Sequence, residues 1–223
     1  MISVCIPTFN RAEYLAEFLD SIQRQTFKDW EAIVVNDGGT DSTDKLMEYF
    51  TKDKRIKYFH RDKNMGIAFT RNEAVKLSEG EYIAVMDSDD IMSPDRLDKQ
   101  IKKIKGLDFV YSAYAVGDNE ARVMQNGLIM PPSKLTVEGV LDGYTAPHVT
   151  ILAHRECFED NPYNNSHKVN DDLELVLKWL KSGYKYKRMK DILMMVRMHP
   201  KSVSKVRDEQ IKKITDQLRK EYA

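Results

Sequence analysis

Asp87, Asp89 and Asp90 fall in the run Asp87-Ser88-Asp89-Asp90, directly after the strand-like segment Tyr82–Met86. Carboxylates set that close behind a strand repel one another unless a cation intervenes. An all-oxygen ligand set suits Mg²⁺ or Mn²⁺, and a diphosphate can complete the coordination. On spacing alone, an acidic turn and helix cap leading into Ser93-Pro94 is the competing reading. Asp37-Gly38-Gly39 follows the apolar Ile33–Val35. The glycines allow a ligand close to the backbone, and the carboxylate can accept an N–H from a nucleobase; a simple turn is the alternative. Asn64-Met65-Gly66 opens a helical stretch, and Arg71 falls far enough into it to reach a phosphate at its start or to sit solvated on its surface. Asn170-Asp171-Asp172 precedes another amphipathic stretch: capping and the helix dipole account for one carboxylate, and the second can serve as a general base. His199, in Arg197-Met198-His199-Pro200-Lys201-Ser202, is a candidate metal ligand, phosphate contact or structural histidine.

The elements needed to position these groups alternate in the first half. Ile2–Ile6, Ile33–Val35, Ile56–Phe59 and Tyr82–Met86 read as strands. Between them, Tyr14 to Ile22, Asp44 to Phe50 (capped by Ser42 or Thr43) and Gly66 to Leu77 carry helical stripes. This predicts a Rossmann-like, largely parallel sheet covered on both faces, with polar groups gathered at the carboxyl ends of strands where ligands bind. Beyond it a helix after Pro94 and a strand over Leu107–Val116 are expected. Irregular chain over 120–145 precedes a strand over Val149–Ala153 and a helix over Asp171–Lys181. Two short strands, Tyr184–Met189 and Ile192–Met198, complete the pattern. The tail from Arg207 places Ile211, Ile214, Leu218 and Tyr222 at helical spacing. Packing on its own domain is the expected use of that narrow stripe, with dimerisation or peripheral membrane contact as alternatives.

The chain has 223 residues, with 35 Lys and Arg against 35 Asp and Glu, so its net charge gives no reason to expect nucleic acid as a partner. Its two cysteines, Cys5 and Cys157, make no disulfide framework. A reduced, cytoplasmic setting is expected, at most peripheral to a membrane, since no signal peptide or spanning segment is legible.

In succession, Val4–Arg11, Val34–Thr43, Asn64-Met65-Gly66, Arg71-Asn72, Gly80–Ile83 and Asp87–Asp90 resemble the family 2 inverting glycosyltransferases over essentially the whole chain. The resemblance implies the GT-A fold, an α/β domain with a mostly parallel central sheet flanked by helices and a smaller acceptor-side sheet. Residues 1–92 would form a nucleotide-binding half and 93–206 an acceptor half, with 207–223 a C-terminal amphipathic helix. It further implies transfer of a sugar from a nucleotide diphosphate sugar, most often UDP-linked, to the hydroxyl of a glycan or lipid-linked acceptor in surface polysaccharide synthesis. Pro7, Thr8, Asn10, Arg11, Asp37, Gly38, Asn64, Gly66, Arg71, Asp87 and Ser88 would line the donor site, with Asp37 at the base. Asp89 would hold Mn²⁺ or Mg²⁺, assisted by His199 in the Arg-x-His-x-x-Ser segment ending at Ser202. Asp172 matches the catalytic base, although the family's Glu-Asp pair is Asp171-Asp172 here, which leaves open which carboxylate acts. The Gln-x-x-Arg-Trp motif of processive synthases is missing, so a single transfer is expected. Two rivals stand beside this reading. A sugar-phosphate nucleotidyltransferase would carry a Gly-rich basic loop, which Pro7-Thr8-Phe9-Asn10 is not. A non-catalytic nucleotide-sugar-binding module of the same fold is the other.

Overall fold

The computed structural model describes residues 1–167, 169–200 and 208–222. Its centre is one nine-stranded sheet in the order β3-β2-β1-β4-β8-β6-β9-β5, with β7 added on β6. The first half follows the expected alternation: β1 (Ile2–Thr8), α1 (Ala12–Gln23), β2 (Trp30–Asn36), α2 (Thr43–Phe50), β3 (Ile56–His60), α3 (Ile67–Leu77) and β4 (Tyr82–Val85). Every residue of β1 and β2 is buried, as continuous apolar runs covered on both faces should be. Ile2, Val4 and Ile6 pack with α1, α2 and Trp30 in one core. Cys5, Ile33 and Val35 face the opposite core, with residues of α3 and of the later helices. The burial of Cys5 pushes its thiol up to about 12, as befits a small core residue.

β1 pairs in parallel with β2 on one side and β4 on the other. The chain thus reverses its direction of travel across the sheet between β1 and β4, and a crevice opens at their carboxyl ends.

Later elements are β5 (Ile91–Met92), α4 (Arg96–Lys103), β6 (Phe109–Gly117), β7 (Val123–Ile129), α5 (Val137–Leu141), a 3₁₀ turn (His148–Thr150), β8 (Leu152–His154), α6 (Arg155–Asp160), α7 (Asp171–Lys181), β9 (Tyr186–Arg197) and α8 (Asp208–Tyr222). They continue the same sheet instead of forming a separate smaller one, because antiparallel β8 joins β4 to β6. Several boundaries differ from the sequence expectation. The segment expected to be irregular holds β7, which exists by pairing with β6, and α5, capped by the Thr136 hydroxyl accepting from Gly139 N. The two expected short strands are one. Tyr111 pairs with Arg188 and Ala113 with Ile192, so a bulge absorbs Lys190-Asp191, the polar break that suggested an end. Val149–Ala153 begins as a 3₁₀ turn behind Pro147. Neither Ser42 nor Thr43 caps α2 through its side chain; Asp41 accepts the Thr43 N–H and hydroxyl instead. No helix among the described residues is long and apolar enough to cross a membrane.

Candidate active site

Three loops converge at the carboxyl ends of β1 and β2. Asn10, held at φ 52°, accepts Thr40 N at 2.8 Å and Asp41 N at 3.2 Å, while Asp41 accepts Ala12 N at 2.9 Å. Asp37 is buried, and its two oxygens accept Met65 N at 2.8 Å and Gly66 N at 2.9 Å. It therefore ties the Asn64–Gly66 loop to the end of β2, with Arg61 Nε 3.8 Å away. Gly38 sits at φ 74°, and a Cβ there would lie 2.8 Å from Asn64 N. At Gly39 it would lie 2.6 Å from Asn36 Oδ1. Side chains are excluded at both positions because three backbones meet there. Pro7 is buried and Asn64 exposed. Thr8 is buried, and its Oγ1 finds no hydrogen-bond partner among the described residues, an acceptor and donor left for a ligand.

After β4 the acidic turn is as compact as its spacing implied. Ligating oxygens of Asp87, Asp89 and Asp90 all lie within 4.8 Å of one another. This set of hard oxygens fits Mg²⁺ or Mn²⁺. Ser88 is buried between them in sequence. Asp90 is fully enclosed: burial, then Asp87 and Asp89, push its carboxyl well above the usual range, although it accepts Arg197 N at 3.0 Å. His199 Nε2 lies 2.9 Å from Asp89 Oδ2, and Arg11 Nε 3.8 Å from the same oxygen. The imidazole is buried and stacks on Tyr14 at 4.7 Å.

Sequence reasoning left Tyr14 and Glu17 without a site role. Arg197 Nε donates to Asp89 O, Nη1 to Asn119 O and Nη2 to Glu17 Oε2, fastening the acidic turn to α1 and to the end of β6. Tyr14 reads as one more residue of the α1 core stripe; only its position under His199 marks it. Ser202 lies outside the described residues.

One buried guanidinium joins the acidic turn to the start of α7. Arg71 Nη2 donates to Asp87 Oδ1 at 2.8 Å, and Nη1 to Asp171 Oδ2 at 2.7 Å. Burial opposes its charge, but Asp171 and Asp87 more than offset this and raise its pKa. Arg71 is thus no solvated surface arginine: both of its terminal nitrogens are committed to carboxylates. The partly exposed Asp172 has no such partner: burial, then neighbouring Asp171, raise its carboxyl to about 6, with Arg71 pulling the other way. The two adjacent carboxylates are distinguished by environment, one spent on a salt bridge and one kept basic near neutrality. Next to Arg71, Asn72 clasps the backbone of Tyr163, giving to its carbonyl and receiving its N–H at 2.9 Å each.

The Escherichia coli protein named UDP-Glc:alpha-D-GlcNAc-diphosphoundecaprenol beta-1,3-glucosyltransferase WfgD is 28% identical over 186 residues, 82% of this chain and 71% of that one. Among solved structures, S. aureus TarS 1-349 in complex with UDP-GlcNAc superposes with a TM-score of 0.77 at 21% identity, covering 92% of this chain and 60% of that one. The mannosyltransferase PcManGT from Pyrobaculum calidifontis, in complex with GDP-Man and Mn²⁺, gives 0.68 at 17% identity, covering 90% and 58%. These likenesses establish the GT-A fold. The sequence pattern of glycosyl transferase family 2 matches residues 3–160, most of the chain, and the protein belongs to that family of glycosyltransferases.

Proposed function

We propose that the protein is a metal-dependent inverting hexosyltransferase that moves a sugar from a UDP-sugar to the hydroxyl of a glycan or lipid-linked acceptor in polysaccharide synthesis, one residue per encounter. The observation that carries this reading is Arg71. A single buried guanidinium spans Asp87 of the acidic turn and Asp171 of the acidic pair. The group suited to a cation and the group suited to proton abstraction are thereby held on one rigid frame.

In this reading residues 1–92 form the donor half. The uracil lies against Asp37 and Gly38 on the floor of the crevice, with Thr8 and Asn10 toward the nucleoside. Thr8 Oγ1, buried and without a partner among the described residues, is available to it. Pro7, Arg11, Asn64, Gly66 and Ser88 shape the walls. Asp87 serves the ribose side, and Arg71 acts on the donor through Asp87 instead of touching phosphate. Asp89, with His199 beside it, would hold Mn²⁺ or Mg²⁺. That ion, when bound, supplies Lewis-acid stabilisation of charge on the departing diphosphate. Asp172 takes the proton of the acceptor hydroxyl as its oxygen attacks the anomeric carbon from the face opposite the leaving group. Positioned bases of this kind contribute roughly 10²–10⁴-fold. Asp171 orients the pair through Arg71. The relative named for glucosyl transfer to a diphosphoundecaprenol-linked sugar supports the acceptor class.

Thermal unfolding tests the donor site directly. UDP, GDP and dTDP are each added with Mn²⁺, with Mg²⁺ and with EDTA. At about 100 times its dissociation constant the cognate nucleotide adds roughly 2.7 kcal/mol, a rise of several degrees. A rise with UDP that EDTA abolishes is the expected result. A folded sample indifferent to every nucleotide would overturn the assignment.

A further inference from the structure

The tail helix α8 has no part in the reading above, yet it is tied to the residue that precedes the acidic pair. Asn170 opens α7 from the left-handed region, at φ 58° and ψ 18°. Asparagine tolerates this conformation better than most residues. An asparagine at a helix start ordinarily turns its side-chain oxygen onto the first free N–H groups. Here no such cap bond forms. The amide donates into α8 instead: Nδ2 lies 3.1 Å from Ile211 O and 2.9 Å from Thr215 Oγ1. Thr215 Oγ1 in turn donates to Ile211 O at 2.9 Å. This closed triangle diverts the cap of α7 into a tertiary link.

α8 also grips α7 at its far end, where Lys181 Nζ donates to Glu221 O at 3.3 Å and lies 4.2 Å over the Tyr222 ring. Leu218 is fully buried, and Ile214 and Tyr222 pack on the core that holds α7. Arg219 Nη2 reaches Leu141 O at 3.0 Å and Asp142 Oδ1 at 2.5 Å. The tail helix is therefore anchored to α5 and to both ends of α7. Its one polar hold on the start of α7 among the described residues is the Asn170 amide.

We infer that Asn170 is a positioning residue: by holding its amide, α8 fixes how the chain enters α7 and so aims the Asp172 carboxylate at the acceptor hydroxyl. The inference rests on Asp172 being the base. Two variants of the full chain weaken the link without touching the acidic pair. Asn170→Gly keeps the left-handed backbone and removes the amide; Thr215→Val removes the hydroxyl at the other end with little change of shape.

The assay is release of nucleoside diphosphate from UDP-glucose, UDP-N-acetylglucosamine and GDP-mannose with Mn²⁺, water standing in for the acceptor. The anomeric carbon–phosphate oxygen bond breaks, the water oxygen bonds to carbon and its proton leaves to the base. With the donor that wild type hydrolyses fastest, each variant lowers kcat roughly tenfold or more. Donor KM and the UDP melting shift stay within about twofold of wild type. The double variant falls no further than Asn170→Gly alone, since both changes cut one link. Wild-type kcat in both variants, losses that multiply, or a loss confined to KM would each overturn the inference. Asp172→Asn in the same assay separates the failures. If it turns over normally, the base assignment falls and this role with it; if it is inactive while the two link variants are not slowed, only the positioning role falls. Wild type that binds UDP and hydrolyses none of the three donors overturns both.

Discussion

Asp171 and Asp172 are neighbours of identical chemistry, and what separates them is a guanidinium. Arg71 claims Asp171 at 2.7 Å, and the resulting pair leaves Asp172 as the carboxyl raised to about 6 by burial and by Asp171. A base acts when deprotonated, so kcat should rise with pH through about 6 and level off above it, and Asp172→Asn should abolish that limb along with at least 10²-fold of the rate. The same raised pKa acts on stability with opposite sign. A carboxyl whose folded pKa lies above its unfolded value contributes stability below the unfolded value, near 4, and loses it as pH rises through about 6. A rise from about 4 to about 6 corresponds to roughly 2–3 kcal/mol. At pH 7 Asp172→Asn should therefore melt several degrees above wild type in the absence of donor. A variant that is slow but no more stable would mean that its neighbourhood does not oppose the charge.

At the scale of elements, the loops after β1, β2 and β3 have no regular structure of their own and are held by side chains that bond to one another's backbones. Asn10 holds the β2 loop, Asp41 holds the start of α1, and Asp37 holds the start of α3. Gly38 lies where these backbones touch. Gly38→Ala forces a β-carbon into the left-handed region and against Asn64 N. The backbone strain costs on the order of 1–3 kcal/mol, and the displaced loop should weaken UDP binding more than tenfold. Calorimetric titration with UDP checks this, and an unchanged affinity would show that the Asn64–Gly66 loop does not border the nucleotide. Gly39 is excluded from carrying a side chain on the other flank by Asn36 and Asn10.

Over the whole molecule, the two proposed halves share one sheet. β8 of the second half pairs with β4 of the first, and β9 pairs with β5. The two cores lie on opposite faces of this sheet and each contains one of the two tryptophans, Trp30 in the first and Trp179 in the second. Since both cores draw on strands from both halves, unfolding should be a single cooperative transition. The single-tryptophan variants Trp30→Phe and Trp179→Phe report one face each, and their fluorescence midpoints should coincide with that of far-UV circular dichroism within about a degree. Separated midpoints would make the halves independent units.

The apolar runs of the first half settled its strands, because stretches such as Ile2–Ile6 and Ile33–Val35 have nowhere to go but a sheet buried on both sides. The order of polar ends along the chain was enough to indicate the family and the stretch Asp87–Asp90, since each cluster follows its own strand directly and local sequence places it. The second half was less legible. β7 is a strand only because β6 is beside it, and β9 is one strand only because a bulge absorbs Lys190-Asp191; neither cause is local. The residues that the site gained from the tertiary structure, Tyr14 and Glu17, look like core or surface positions in the chain. Their partners are remote in sequence: Arg197 reaches Glu17 and Asn119, and Tyr14 stacks on His199. The sequence could list the carboxylates and offer two of them as a base. Which of the two holds the salt bridge was decided by Arg71, a hundred residues away along the chain, because a carboxylate's surroundings depend on distances in space and on what excludes water around it.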